Sequence, residues 1–193
     1  MPAILTPLNT PTHLLVNVAA LGRGSRAAAW AAATGAVLPD LPIFVFYGVD
    51  KLWYRRPESE IWAHDYFVSA WQPVIDGLHS FPLIALALLV LWRVPWGRIL
   101  CLSLLLHSAL DFPFHHDDAH RHLFPFSAWR FASPVSYWDP RHHGALGAFL
   151  ELAALLTAAA VLMTRHRSWK LRVPLGLLGL GQTAGWILFY AAK

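Results

Sequence analysis

The stretch His107-Ser-Ala-Leu-Asp111-Phe-Pro-Phe-His115-His116-Asp117-Asp118-Ala-His120-Arg-His122 starts inside a strongly apolar segment and ends in a run of imidazoles and carboxylates. These are the side chains that hard and borderline divalent metals bind best when no thiolate is offered. On a helix His107 and Asp111 are four residues apart and share a face. Pro113 then ends or bends that helix, and the cluster emerges. The plainer reading, a solvated histidine-rich loop, leaves the first two residues unexplained. Ionisable groups in an apolar helix are costly to bury and normally have a partner.

The rest of the chain has the composition of a membrane protein. It is 193 residues long, 56% hydrophobic and 13% charged, with a mean hydropathy of +0.44. That is too apolar for an ordinary soluble domain, and a single domain over residues 1–193 is expected. The net charge of +4 does not point to nucleic acid, because the basic residues sit in short turns between apolar segments. The one cysteine, Cys101, lies in an apolar run, so neither a disulfide nor a thiolate metal site can form within one chain. Trp92, Trp96, Trp169 and Trp186 fall at the ends of apolar segments, as in the aromatic belts of bilayer interfaces.

Taken in order, Met1–Pro11 is broken by prolines and reads as irregular. Thr12 is placed to cap a helix from His13 to about Leu21, too short to cross a bilayer. Ala27–Leu38 is a small-residue helix. Pro39-Asp40-Leu41-Pro42 either ends it or breaks one membrane helix over residues 27–49. Residues 50–71 form an aromatic, polar stretch expected at the membrane surface. Pro73–Trp92 reads as a spanning helix with Asp76 and His79 in its first turns, and Ile99–Phe112 as the return that carries His107 and Asp111. Residues 113–144 are polar and proline-rich. Ala145–Met163, with Glu151, and Val173–Ala192 are the last expected spans. The expected fold is all-α: a polytopic membrane helical bundle of about five to six helices with a His-rich non-cytoplasmic loop.

The turns at 23–26, 93–98 and 165–172 contain only basic charges and should face the cytoplasm. Alternation then carries His13, Asp40, His79, His107 and Asp111 to the opposite side, each at the outer end of an apolar helix, with His115 and His116 able to fold back over them. Each has a plainer role alone: a cap, a turn residue, a helix-to-helix hydrogen bond. Together they outline a mono- or dinuclear metal site at a recessed cleft. A second group, His120, His122, Asp139, His142 and His143, is placed to touch substrate or metal, or simply to be solvated.

Pro-Thr-His13, Leu38-Pro-Asp40, Leu78-His79-Ser80 and His107-x-x-x-Asp111 together resemble the YdjM-like inner-membrane metal-dependent hydrolase family, the LexA-binding, inner-membrane-associated hydrolases. The resemblance covers roughly residues 11–116. Ile75-Asp76-Gly77 stands where the family pattern has His-Arg, and His115–His143 lies outside the shared pattern. The resemblance implies a multi-helix protein of the bacterial inner (plasma) membrane with a divalent-metal hydrolase site, loosely similar to zinc-dependent phospholipase C.

On this reading His13, Asp40, His79, His107, Asp111 and His115 hold one or two divalent ions, zinc first and manganese or iron next. Asp117 or His116 serves as general base, and Arg121, Arg130 and Arg141 pair with phosphate. A cleft at the bilayer surface with tryptophan walls suits an amphiphilic substrate such as a phospholipid or isoprenoid phosphate. The rival is a non-catalytic metal-binding membrane protein for storage, sensing or transport. Transport is disfavoured by the apolar stretches Leu86–Leu91, Leu100–Leu106 and Thr157–Met163, because a pathway needs polar groups through the full depth.

Overall fold

Small residues decide what packs at the centre. A computed structural model describes residues 9–137 and 139–191, and these are helical without strands. We number the helices α1 (Asn9–Leu21), α2 (Arg26–Val37), α3 (Leu41–Gly48, continued by a wider turn at Val49–Trp53), α4 (Gln72–Leu78), α5 (Phe81–Leu91), α6 (Pro95–Asp111), α7 (Gly144–Arg165) and α8 (Trp169–Trp186, continued at Ile187–Ala191). Ser25 caps α2 by accepting from Ala28 N–H. The buried face of α2 is Ala28, Ala31, Ala32, Gly35 and Ala36, which lets the backbone of α6 approach closely. A Cβ on Gly35 would stand 2.6 Å from both Leu100 O and Ser103 Cβ.

A polar tie crosses this contact. Asn17 of α1, fully buried, donates to Ser103 O at 2.9 Å and Ser103 Oγ at 2.8 Å. Ser103 donates in turn to Ala32 O at 2.6 Å. Three helices are thereby locked in register with no donor wasted, which matters where water does not compete. On its other side α1 packs Leu15 and Ala19 against Leu155, Ala158, Ala159 and Leu162 of α7 and Leu175 of α8. At the far end Arg165 reaches back to the carbonyl of Ala19.

Two expected helices are broken. The 27–49 segment is two helices bent by 52° at Pro39-Asp40, and the second runs on to Trp53. Pro39 removes an N–H from the ladder, and Pro42 suits the first turn of α3. The expected continuous helix at Pro73–Trp92 is corrected. α4 ends at Leu78, His79 is its C-cap, Ser80 caps α5 by accepting from Leu83 N–H, and the two meet at 54°. Ser-Phe-Pro is a strong start signal that competes with continuation of the helix. The first helix begins at Asn9 rather than His13. Thr12 therefore does not cap it and donates to Glu151 at 3.0 Å. Of the irregular segment expected over Met1–Pro11, residues 1–8 lie outside the described residues. α6 starts at Pro95 rather than Ile99. The expected surface segment 50–71 contains helical turns over 58–68.

Among the described residues two helices, Gly144–Arg165 and Trp169–Tyr190, are long and apolar enough to cross a membrane, or four if each bent pair is one span. Leu86, Leu89 and Val90 on α5 and Leu177, Leu180 and Leu188 on α8 and its continuation point outward, exposed, as side chains facing lipid would be.

The 113–143 loop is built rather than loose. Asp76 of α4, fully buried, accepts from the Arg121 backbone at 2.9 Å and from Arg121 Nε at 2.5 Å, with Arg130 Nη2 3.9 Å away. Removing one member of such a buried pair costs about 3–5 kcal/mol. Backbone bonds from Phe81 N to His122 O (2.9 Å) and from Tyr137 N to Phe114 O (3.2 Å) complete the attachment.

The α2–α6 contact gives a direct test. Gly35→Ala should destabilise the protein by about 1–3 kcal/mol through overpacking, read as a lower Tm in detergent. An unchanged Tm would show that α6 can move away from α2 freely.

Candidate metal centre

Each helix break delivers a polar side chain to one place. The bend between α2 and α3 presents Asp40, the bend between α4 and α5 presents His79, and the last turn of α6 presents His107 and Asp111. Atoms of these four side chains lie within 4.8 Å of one another. His79, His107 and Asp111 are almost wholly buried. Asp111, His115 and His120 form a second such group that shares Asp111 with the first. His116, Asp117 and His142 form a third.

Hydrogen bonding sets the direction of the rings. His107 Nδ1 lies 2.9 Å from Ala36 O, and His79 Nδ1 lies 2.8 Å from Ile75 O. A carbonyl can only accept, so both Nδ1 atoms donate, and each neutral ring turns the lone pair of Nε2 inward. His107 Nε2 then faces Asp111 Oδ2 at 2.9 Å and Asp40 Oδ1 at 3.5 Å, and His79 Nε2 faces Asp111 Oδ2 at 3.4 Å. These two Nε2 atoms are buried without a hydrogen-bond partner. Lone pair facing lone pair is repulsive unless a cation or a proton stands between.

The rings also stand close to one another. His13 and His107 rings are 4.1 Å apart, and His79 and His120 rings stack at 3.8 Å. Two imidazolium charges at about 4 Å repel by about 4 kcal/mol even at an effective dielectric of about 20. A divalent ion held by neutral imidazoles and carboxylates removes the conflict, and the donor set fits zinc, manganese or iron(II). The anchoring of ligand imidazoles through their other nitrogen is the usual supporting arrangement. Buried His and Asp groups here could therefore hold a metal ion.

The second group repeats the pattern. His115 Nδ1 lies 2.9 Å from Asp118 Oδ2, which leaves Nε2 toward Asp111 Oδ1 at 3.6 Å. Burial would push the His115 pKa down, but the carboxylates of Asp118 and Asp111 outweigh it and hold the value well above the ordinary one. His120 is pushed well below its ordinary value by burial and then by His79 and His115. It is thus a neutral donor at physiological pH. His122 falls to about 4, chiefly by burial.

Of the residues expected to hold metal, Asp40, His79, His107 and Asp111 lie in one group, and His115 stands with Asp111 and His120 in the other. His13 Nε2 lies 2.8 Å from Asp111 Oδ1 with hydrogen-bond alignment, and its Nδ1 is buried without a partner. Asp40 is steadied by the Thr10 hydroxyl. His116 and Asp117, expected as proton carriers, stand in the third group. The three arginines already have carboxylate partners. Arg121 and Arg130 face Asp76, and Arg141 grips Asp139, with Nη2 at 2.7 Å. Sequence reasoning left His120 in a doubtful group and did not single out Asn17 or Asp76 as organising residues. A fully apolar setting for Asn17 was the available signal.

Comparison with protein-family models, with curated proteins and with solved structures returns no match.

The Arg141 grip, first through its side chain and then through its backbone N–H, overcomes burial and holds the Asp139 carboxyl at about 2. A depressed folded value stabilises fully above the ordinary carboxylate pKa of about 4, and that contribution disappears as pH falls through about 2. Asp139→Asn should therefore lower Tm by a constant amount between pH 7 and 5, and the gap should close toward pH 2. A gap that is independent of pH over this range would remove the carboxylate from the loop's stability.

Proposed function

We propose that the protein is a membrane-bound, metal-dependent hydrolase acting at the outer face of the bacterial inner membrane on a phosphoester of an amphiphilic substrate. The observation that carries this reading is the convergence of the buried, inward-turned Nε2 atoms of His79 and His107 on Asp111, with Asp40 beside them. The motif resemblance to the inner-membrane hydrolase family supports it, and so does the apolar outer surface of α5 and α8. An apolar outer surface suits an amphiphile better than a free solute.

Asp40, His79, His107 and Asp111 would hold one ion. Asp111, His115 and His120 would hold a second. Zinc heads the candidates because imidazole dominates the donor set. A divalent ion held there supplies Lewis-acid polarisation of a phosphoryl oxygen and brings the pKa of water toward about 7. The chain does the rest. His13 fixes the rotamer of Asp111, Asp118 fixes that of His115, and the carbonyls of Ile75 and Ala36 fix those of His79 and His107. Burial under the 113–143 loop keeps bulk water out. Arg141, the most exposed of the three arginines, is the one to meet an anionic headgroup.

Near-complete burial of His79, His107 and Asp111 favours a second reading, a closed metal-binding membrane protein for storage or sensing. Metal analysis of detergent-purified wild type beside Asp40→Ala/His79→Ala, followed by a phosphoesterase screen on lipid phosphates, separates the two. Wild type should carry one or two equivalents of zinc, manganese or iron, the variant should lose at least one, and turnover should vanish with it. Metal lost without any turnover in wild type would support the second reading. Equal metal in both proteins would sink the site itself.

A further inference from the structure

We infer that His116, Asp117 and His142 form a separate, solvent-exchanging site for a borderline divalent ion such as zinc, nickel or copper(II). Ligand atoms from these three residues lie within 4.8 Å of one another, and the group shares no side chain with the two buried ones. The inference does not rest on the hydrolase reading.

The ring of His116 is set as those of the buried ligands are. Its Nδ1 lies 2.6 Å from Ser133 O and must donate to it. The lone pair of Nε2 is left toward Asp117 Oδ1 at 3.5 Å. Arg141 Nη2 engages the other oxygen, Asp117 Oδ2, at 3.4 Å, so Oδ1 is the atom turned to the imidazole. The His142 ring stacks on that of His116, with centroids 3.4 Å apart and planes 18° apart.

The backbone holds the group in place. Ser133 N–H donates to His115 O at 2.9 Å, and Ser136 N–H donates to His142 O at 2.7 Å. Asp139 opens the tight turn Pro140–His142, and His143, with φ 55°, reverses the chain into α7. Two chain segments far apart in sequence are thus fastened so that their imidazoles meet.

Two imidazoles and one carboxylate suit zinc, nickel or copper(II) better than magnesium or calcium, which require more oxygen ligands. The side chains of His116 and His142 are 24% and 28% exposed and that of Asp117 is 51% exposed. His79 and His107, by contrast, are fully buried. An ion here would therefore exchange with solvent faster than one in the buried groups. His115 and His116 are consecutive, so the outer position lies one peptide bond from a residue of the buried second group. That makes it a place where an ion is captured before, or in addition to, filling the interior.

The test is zinc binding by equilibrium dialysis on full-length, detergent-purified protein stripped with chelator. Wild type is compared with His116→Ala/His142→Ala and with His79→Ala. The double variant should bind one equivalent fewer than wild type, and the missing ion should be the one that a mild chelator removes first. His79→Ala should keep that labile ion while losing a retained one. Equal stoichiometry in wild type and the double variant would overturn the proposal, as would loss of the labile ion in His79→Ala. Copper(II) added to zinc-loaded wild type gives a readout that needs no variant. Its electron paramagnetic resonance spectrum should show hyperfine coupling to two imidazole nitrogens, and a spectrum without nitrogen coupling would rule the site out.

Discussion

A single carboxylate, Asp111, is surrounded by imidazoles in a place where water cannot help. Oδ1 faces His13 and His115, and Oδ2 faces His79 and His107. A carboxylate in such a setting must be compensated, and several imidazolium charges around it would repel one another. The neighbourhood could therefore hold a cation. His79, His107 and His115, each fixed through Nδ1 on a carbonyl or carboxylate, turn Nε2 toward Asp111.

This demand accounts for the two broken helices. A continuous helix projects side chains radially, all at the same distance from its axis. Four side chains of three different elements reach a common point more easily if the chain itself bends at that point. Pro39-Asp40 and His79-Ser80 are such bends, of 52° and 54°. The Asn17–Ser103–Ala32 tie holds the remaining helices at a fixed depth so that the last turn of α6 arrives beside both bends. The 113–143 loop closes the site from above, pinned by Arg121 on Asp76 and by a backbone bond from Phe81 to His122.

Several parts of this arrangement were legible in the residues. His107 and Asp111 are four apart on a helix and needed only helical periodicity to be paired. Leu38-Pro-Asp40 announced a break, because proline interrupts the hydrogen-bond ladder whatever surrounds it. The break at His79 was less visible. Apolar sequence continues through Ser80-Phe-Pro, and a proline in the first turn of a helix can equally sit inside a longer bent one. The contacts of His13 and the arginines were not legible at all. Whether an imidazole ligates or orients depends on which nitrogen faces which oxygen, and a guanidinium meets either substrate or a buried carboxylate according to what the fold puts beside it.

The sequence by itself determined the helical class, the apolar segments long enough to cross a bilayer, and a donor set of imidazole and carboxylate. These come from composition, local periodicity and proline chemistry, which act within a few residues. Only the tertiary structure decided that Asp111 is shared between two groups of ligands. It alone brought His120 inside and paired His116 with His142, and it turned Arg121 inward to Asp76. These are meetings of residues far apart in the chain, set by how closely small-residue helices pack and by where buried hydrogen bonds are satisfied.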